Sequence, residues 1–373
     1  MPAPTDSEAS VVIWRSAMLA GSETFIRNHG KALSGWRPTF LGATKVHSQL
    51  ADETDTIAFP DTPEGRRAFL RLRLTGESPR LRALLTRLRP RVVHAHFGGD
   101  GWLISGSAAE LGVPLIVTLH GHDVTRQPDT PGVKGLRYRR NLRSVFDRAT
   151  AILAVSEHIR DKALLRGADP AKVRVHYTGV WIPEAAAPVE PHWDVAFVGR
   201  FVAKKGVEDL ITALALQDGR RPRALLIGSG PLEEKMRAYA AELGVDATFL
   251  GVRDTATVAR EVARSRIFVA PSKTAPDGDS EGLPTTIIEA AALGVPTVST
   301  RHSGIPEAVV DGVTGLLGPE NDAAVLALNI ARLLGDDQLR QQLGAQARSH
   351  VSTHFDLREQ SRRLEQLYAE VTG

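Results

Sequence analysis

The segment IFVAPSKTAPDGDSEGLPTTIIEAAALG, Ile267–Gly294, decides the fold. Its apolar opening, Ile267–Ala270, reads as a buried strand. A polar loop with Pro271, Pro276 and Gly278 follows, and a helix starts near Pro284, where a first-turn proline forfeits no hydrogen bond. The N–H groups of Leu283, Thr285 and Thr286 then lack intrahelical partners and suit an anion such as a diphosphate. Gly282 lets backbone approach a ligand closely. Glu281 lies at the lip of this helix start and Glu289 in its second turn, with seven residues between them. A carboxylate accepts two hydroxyl groups at once, so one suits sugar hydroxyls and the other a ribose diol. The plainer account makes both a helix-start acid and a solvated face.

Outward from this segment the chain repeats strand-like runs followed by helix-length stretches. Val11–Ile13, Pro38–Leu41, Arg91–Ala95, Pro114–Leu119, Ala151–Val155 and Val173–His176 are followed by Asp194–Val198, Ala224–Ile227, Ala247–Leu250, Ile267–Ala270 and Thr297–Ser299. Between them Glu23–Leu33, Ser78–Leu88 and Ser156–Leu165 have helical character. Such alternation means βαβ units and parallel sheets. Trp181–Trp193, with Pro183, Pro188 and Pro191, interrupts it as a linker. The expected fold class is therefore α/β, with two doubly wound, Rossmann-like domains facing a central cleft. Residues 1–183 form the first and 184–356 the second, and a helix at about 357–373 returns to the first. Ligands of such sheets bind outside the carboxyl ends of the strands.

With 373 residues, 42% apolar and 24% charged, the chain can bury two cores. It has no cysteine, which excludes disulfides and thiolate metal sites. No signal pattern or membrane-length apolar run is evident, so a cytoplasmic protein is expected, or one peripheral on the inner face of the membrane. The net charge of +3 divides unevenly: residues 1–183 hold 26 Lys and Arg against 17 Asp and Glu, the remainder 20 against 26. The basic share concentrates in Arg66–Arg91 and Lys134–Arg148, interleaved with leucines. A solvated arginine-rich face and an anionic membrane-surface face both fit that pattern. Nucleic acid fits poorly, because aromatic residues make up 5% and no recognition motif is present.

Further features fall in chain order. Gly199-Arg200 and Lys205 lie in VGRFVAKKG, Gly228-Ser229-Gly230-Pro231 follows the next strand, and Phe249-Leu250-Gly251 the one after. Near the start, Gly21 precedes Ser22-Glu23-Thr24-Phe25-Ile26, and Thr118–Asp123 reads TLHGHD. With the Glu281…Glu289 pair, this set resembles glycosyltransferase family 4, retaining enzymes of the GT-B fold. SETFI is similar to its exopolysaccharide branch of the colanic acid and amylovoran type.

That resemblance implies a sugar transfer from a nucleotide-diphosphate sugar to a glycan, glycolipid or other acceptor hydroxyl, in polysaccharide or glycoconjugate biosynthesis. It implies that Arg200 and Lys205 neutralise the departing diphosphate, Glu289 holds the ribose and Glu281 the sugar hydroxyls. His120 would lie beside the anomeric carbon, with Gly21, Gly199, Gly230, Gly251, Gly282, Leu283, Pro284, Thr285 and Thr286 around the donor. Neither a metal nor a cofactor is implied, although Asp277-Gly278-Asp279 looks like a metal-binding DxD. The sequence departs from the commoner family pattern at Ala20-Gly21-Ser22, where a glycine pair is usual, and at Thr178. His94 and His96 read as strand-end residues, and His120 and His122 as an HxH pair without a third ligand. Gly228 and Gly230 lack the further glycine of a dinucleotide fingerprint. The alternative is a catalytically idle GT-B protein that binds a glycan or partner.

Overall fold

The computed structural model describes residues 9–21, 23–184, 189–219 and 221–373. Ser22 of the SETFI segment and Pro188 of the proline-rich segment lie outside them. The chain divides into two compact units, residues 1–179 with 357–373, and residues 180–356.

In unit 1 seven strands run Ser10–Met18 (β1), Arg37–Lys45 (β2), Thr56–Ile57 (β3), Val92–His96 (β4), Leu115–Leu119 (β5), Ala151–Ala154 (β6) and Val173–Val175 (β7). All pair in parallel in the order β3-β2-β1-β4-β5-β6-β7. β4, β5 and β6 are buried at every position, as expected where helices cover both faces. The helix Leu357–Thr372 buries Leu364, Leu367 and Tyr368 in the core of this unit beside Val11, Ile13 and Trp36. Glu365 caps that docking by accepting the N–H groups of Ser34 and Gly35 at 2.6 and 2.7 Å.

Unit 2 holds six strands, Trp193–Val198 (β8), Ala224–Ile227 (β9), Ala247–Gly251 (β10), Ser265–Ala270 (β11), Thr297–Thr300 (β12) and Gly315–Gly318 (β13). They too are parallel, in the order β10-β9-β8-β11-β12-β13. Each sheet reverses its winding at one place, between β1 and β4 and between β8 and β11. Loops leaving neighbouring strands diverge there and open a crevice.

The division differs from the proline-based estimate, falling at 179/180 rather than 183/184. The reason is local hydrogen bonding. Val180 N–H donates to Phe355 C=O at 2.8 Å, and Pro183 C=O accepts from Arg348, so the stretch after Gly179 belongs to unit 2. Two short strands lie outside the expected runs. β3 has two residues, and β13 reads GLLG, whose terminal glycines give no β signal.

Candidate functional site

In unit 2 the loops after β8, β9 and β11 meet at the switch point. Backbone packing dictates their glycines. Gly228 has φ +134°, and a Cβ there would collide with the carbonyl of Gly199. A Cβ on Gly230 would lie 2.6 Å from the carbonyl of Phe201. The β8 and β9 loops are thus pressed together, and close packing alone accounts for Gly228 and Gly230. Gly251 ends β10 at φ +71°, where the register with β9 shifts. Gly199 sits beneath the aliphatic stem of Lys205, and Arg200 next to it is exposed.

The helix after β11 spans Thr285–Ala292, with Pro284 as its cap rather than its first residue. Ile287, Ile288 and Ala290–Ala292 are buried, which fixes the helix against the sheet. Thr285 and Thr286 form its first turn, preceded by buried Gly282 and Leu283. Lys205 Nζ lies 3.0 Å from Glu281 Oε1, so two expected donor-binding groups pair with each other. Burial pushes the Glu281 carboxyl up, but Lys205 and then Lys204 outweigh it and hold the group below the usual carboxylate range. Asp279 is tied to Lys204 Nζ at 3.2 Å, and the same amine donates to Ser280 C=O.

Glu289 differs in kind. It is half-buried, its side chain makes no hydrogen bond or ion pair among the described residues, and desolvation raises its pKa to about 7. An acid left unpartnered inside a helix is destabilising unless a ligand completes it.

In unit 1 the loops at the β1/β4 switch carry a cluster the sequence did not disclose. The strand β1 extends beyond Ile13 through Met18 and carries Arg15. Arg15 donates to both oxygens of Glu23, at 3.0 and 2.7 Å, and to Asp100. Asp100 also accepts from Ser16 N–H and Oγ–H at 2.6 and 2.8 Å. Burial opposes the Arg15 charge, yet Asp100 and Glu23 together hold its pKa above the ordinary value. Glu23 of SETFI thus anchors β1 to its following helix. Gly21 is exposed, and a Cβ there would meet nothing.

His120 follows β5 and lies 3.0 Å from His96, ring nitrogen to ring nitrogen, against Phe25 and Phe97. Asp123 binds the N–H groups of His120, Gly121 and Gly98, and so shapes the turn rather than facing a ligand. His122 packs on Phe97. His94 is wholly engaged, with Tyr368 Oη at 2.6 Å on one side and Thr118 Oγ1 at 2.7 Å on the other. His29 adds 3.1 Å to the same Tyr368 hydroxyl. These rings border a cavity of about 40 Å³. Burial lowers the pKa of His29 to about 3 and holds His94, His96 and His120 well below the imidazole value. His29, His94 and His96 offer ligand atoms within 4.8 Å of one another. Tyr368, Thr118 and His120 already occupy most of their nitrogens, so the group reads as a hydrogen-bonded stack.

The comparisons with known proteins agree with this layout. A model described as Glycosyltransferase Family 4 matches residues 19–181, and one described as Glycosyl transferases group 1 matches 182–350. The putative colanic acid biosynthesis glycosyltransferase WcaL of Salmonella typhimurium is 30% identical over 286 residues, 73% of this chain and 69% of that protein. The amylovoran biosynthesis glycosyltransferase AmsK of Erwinia amylovora is 29% identical over 70% of this chain and 65% of its own. Among solved structures, Anabaena HepE in complex with UDP and glucose superposes with a TM-score of 0.78 at 19% identity, covering 97% of this chain and 100% of its own. Sucrose-phosphate synthase from Thermosynechococcus elongatus gives 0.76 at 20%, covering 97% and 98%. No helix among the described residues is long and apolar enough to cross a membrane. Two Rossmann-like units in the GT-B arrangement of strands, each matched by its own family model, make this chain a member of the family 4 glycosyltransferases.

Proposed function

We propose that the chain is a retaining, metal-independent glycosyltransferase that takes a sugar from a nucleotide-diphosphate donor to a hydroxyl of a glycan or glycolipid. The observation that carries this reading is the β11 loop and helix start. There a helix start without a side-chain cap, an ion-paired Lys205–Glu281 just before it and Glu289 in its second turn, a side chain unpartnered among the described residues, lie on one short segment. A diphosphate at the helix N-terminus exchanges with Glu281 for the Lys205 ammonium, freeing the carboxylate for sugar hydroxyls. Arg200, exposed beside it, adds the second positive charge, and such charge at a departing diphosphate is the dominant electrostatic contribution in a transfer of this kind. Glu289 gains two hydroxyl donors from a ribose and loses its desolvation penalty. His120 is assigned to the reacting sugar, held neutral by burial.

Glu281 is assigned to the sugar hydroxyls, which leaves it no part in proton transfer. The acceptor's proton therefore goes to the leaving diphosphate oxygen as the new glycosidic bond forms on the face the diphosphate leaves. Biosynthesis of an exopolysaccharide is the context suggested by WcaL and AmsK, and UDP is the first nucleotide to test, given the HepE complex. The acceptor reading draws support from a second pocket in unit 1, of about 430 Å³. Its wall joins Arg73, Lys134 and Arg137 to Phe69, Trp102 and Leu142, a lining suited to an anionic amphiphile. Leu70, Leu74, Val133 and Leu136 stand exposed on the helices that carry those basic residues, which favours peripheral attachment at the inner face of a membrane.

The test is turnover of UDP-, GDP-, ADP- and dTDP-sugars with lipid-linked saccharides, and the anomeric coupling of the product read by NMR. Inverted product overturns the retaining assignment. Absence of both transfer and slow donor hydrolysis favours an idle, glycan-binding protein. Flotation with phosphatidylglycerol vesicles, reversed by salt, checks the membrane component.

A further inference from the structure

We propose that His302 and Glu320 are positioning residues that set the Glu281 carboxylate by clamping the loop that carries it. This rests on the role given to Glu281 above.

Residues 271–284 form a largely buried connection without helix or strand, so their backbone groups need partners from elsewhere. Two consecutive residues after β12 grip Glu281 from both sides. Its N–H donates to His302 Nε2 at 3.1 Å, and its C=O accepts from Ser303 Oγ at 2.5 Å. Ser303 has φ +49°, an uncommon conformation for a residue with a side chain, which here carries the hydroxyl that reaches Glu281.

The imidazole's tautomer follows from this geometry. A ring nitrogen that accepts an N–H carries no proton, so the His302 proton resides on Nδ1. It is donated to Glu320 Oε1 at 2.7 Å. The other oxygen of Glu320 accepts Thr274 N–H at 2.8 Å. Thr274 lies near the start of the loop and Glu281 near its end. One imidazole and one carboxylate therefore bracket the loop, and His302 is 2% exposed, so water does not compete for it. Two further ties hold the base of the loop, Ser299 Oγ to Ala270 C=O at 2.5 Å and Thr300 Oγ1 to Ser272 C=O.

The consequence concerns the exchange that donor binding demands. When the diphosphate takes Lys205, Glu281 loses its counter-ion, and a loop held only by that ion pair would release the carboxylate. The His302–Glu320 bracket acts on the Glu281 backbone and is indifferent to the departure of Lys205. It keeps the carboxylate placed at the moment its own salt bridge opens. A group misplaced by about 1 Å costs roughly a hundredfold in such a reaction.

The experiment compares wild type with His302→Ala, His302→Gln and Glu320→Gln in the full chain. It reads amide hydrogen exchange across residues 275–284, affinity for UDP or the best nucleoside diphosphate, and kcat. In His302→Ala the Glu281 amide should exchange at least tenfold faster. Turnover should fall about ten- to a hundredfold, while nucleotide affinity stays within about threefold, because Glu289 and the helix start are untouched. His302→Gln, whose amide oxygen can accept the same N–H, should recover most of the turnover. Glu320→Gln leaves the imidazole in place with a weaker anchor and should fall between, which keeps the test alive should His302→Ala fold poorly. Unchanged exchange at Glu281 in His302→Ala overturns the proposal. So does exchange that rises equally across unit 2 with nucleotide affinity lost in proportion, which is the mark of a purely structural histidine. Full turnover in Glu281→Ala together with faster loop exchange in His302→Ala would instead sink the role given to Glu281 and leave the clamp standing.

Discussion

The two switch points of this molecule handle charge in opposite ways. In unit 2 the β11 loop and helix carry charged groups paired at 3.0–3.2 Å, Lys205 with Glu281 and Lys204 with Asp279, and one acid, Glu289, whose side chain has no partner among the described residues. In unit 1 the corresponding place holds neutral imidazoles stacked on one another, with ring centroids 4.7 Å apart for His94 and His96 and 5.2 Å for His96 and His120. The charge cluster beside them, Arg15 with Glu23 and Asp100, is closed on itself. Paired charges suit exchange with a polyanion such as the proposed donor diphosphate. Neutral, mutually hydrogen-bonded rings would keep their protonation state on its binding.

The comparison breaks most readily at Lys205. Lys205→Ala removes a leaving-group charge and also strands Glu281 with its counter-ion gone, so its carboxyl should rise above the usual range. Turnover should fall by about 10²–10³, similar to losing one oxyanion-type donor, and Arg200→Ala should follow at a somewhat smaller loss because Arg200 is exposed. Initial rates at saturating donor check this. Wild-type kcat in both variants would mean that the paired charges of unit 2 are structural.

Glu289 sharpens the contrast through pH. Its carboxyl is raised to about 7 by burial, so it is largely neutral below that value and ionised above it. If the ribose binds the carboxylate, nucleotide affinity should weaken roughly tenfold from pH 8 to pH 6, following the ionised fraction. Glu289→Gln should be weak at both values and lose the dependence. Because a raised carboxyl pKa disfavours the folded state once the pH passes the unfolded value, that variant should also melt higher at pH 8 than wild type. His120 titrates well below this window, so His120→Ala should slow turnover and leave the pH midpoint in place. Calorimetric titration at three pH values decides between the two residues.

A smaller effect is expected within the imidazole stack. His96→Gln keeps volume but alters the bond to His120, whose ring is otherwise held by Phe25 and Phe97. Turnover should fall about fivefold with donor affinity unchanged, since a single neutral hydrogen bond contributes roughly 1 kcal/mol. A loss in donor affinity would place His96 at the donor instead.

How much of this could be read from the chain depends on whether the signal is local. The strand–loop–helix around Glu281 is compact in sequence, and its proline, glycine and paired glutamates stand within Ile267–Gly294. The parallel sheets were equally legible, because buried strands such as LIVTL at Leu115–Leu119 give continuous apolar runs. What escaped notice is assembled from distant parts. Arg15 on β1 meets Asp100 in the helix that follows β4, and Glu320 joins His302 to Thr274, contacts that only strand order brings together. A polar Arg15-Ser16 within an apolar strand was the one available hint. Gly230, placed around the donor by the resemblance, is a glycine that loop packing against Phe201 already requires.

The least effect belongs to the DxD look-alike, Asp277-Gly278-Asp279. In many nucleotide-sugar enzymes such a pair presents a cation to the donor diphosphate. Here Asp279 Oδ1 is 3.2 Å from Lys204 Nζ, and Asp277 Oδ1 accepts Asp279 N–H at 3.2 Å, as loop-forming acids do. The side chains have work within the loop, and the positive charge next to Asp279 is a lysine that a divalent ion would have to displace. On the proposed reading, Arg200 and Lys205 with the helix start offer charge to the same phosphate oxygens, so a cation would compete with them. Asp277→Asn and Asp279→Asn should therefore retain at least about half of the turnover, since both side chains serve the loop and neither is assigned to the donor. Chelated and dialysed enzyme should keep its rate within about twofold when Mg²⁺ or Mn²⁺ is returned. Loss of activity on chelation, restored by Mn²⁺ and abolished in Asp279→Asn, would overturn the metal-independent assignment. It would also erase the contrast between the two switch points, because unit 2 would then neutralise its ligand with a borrowed cation and not with its own paired charges.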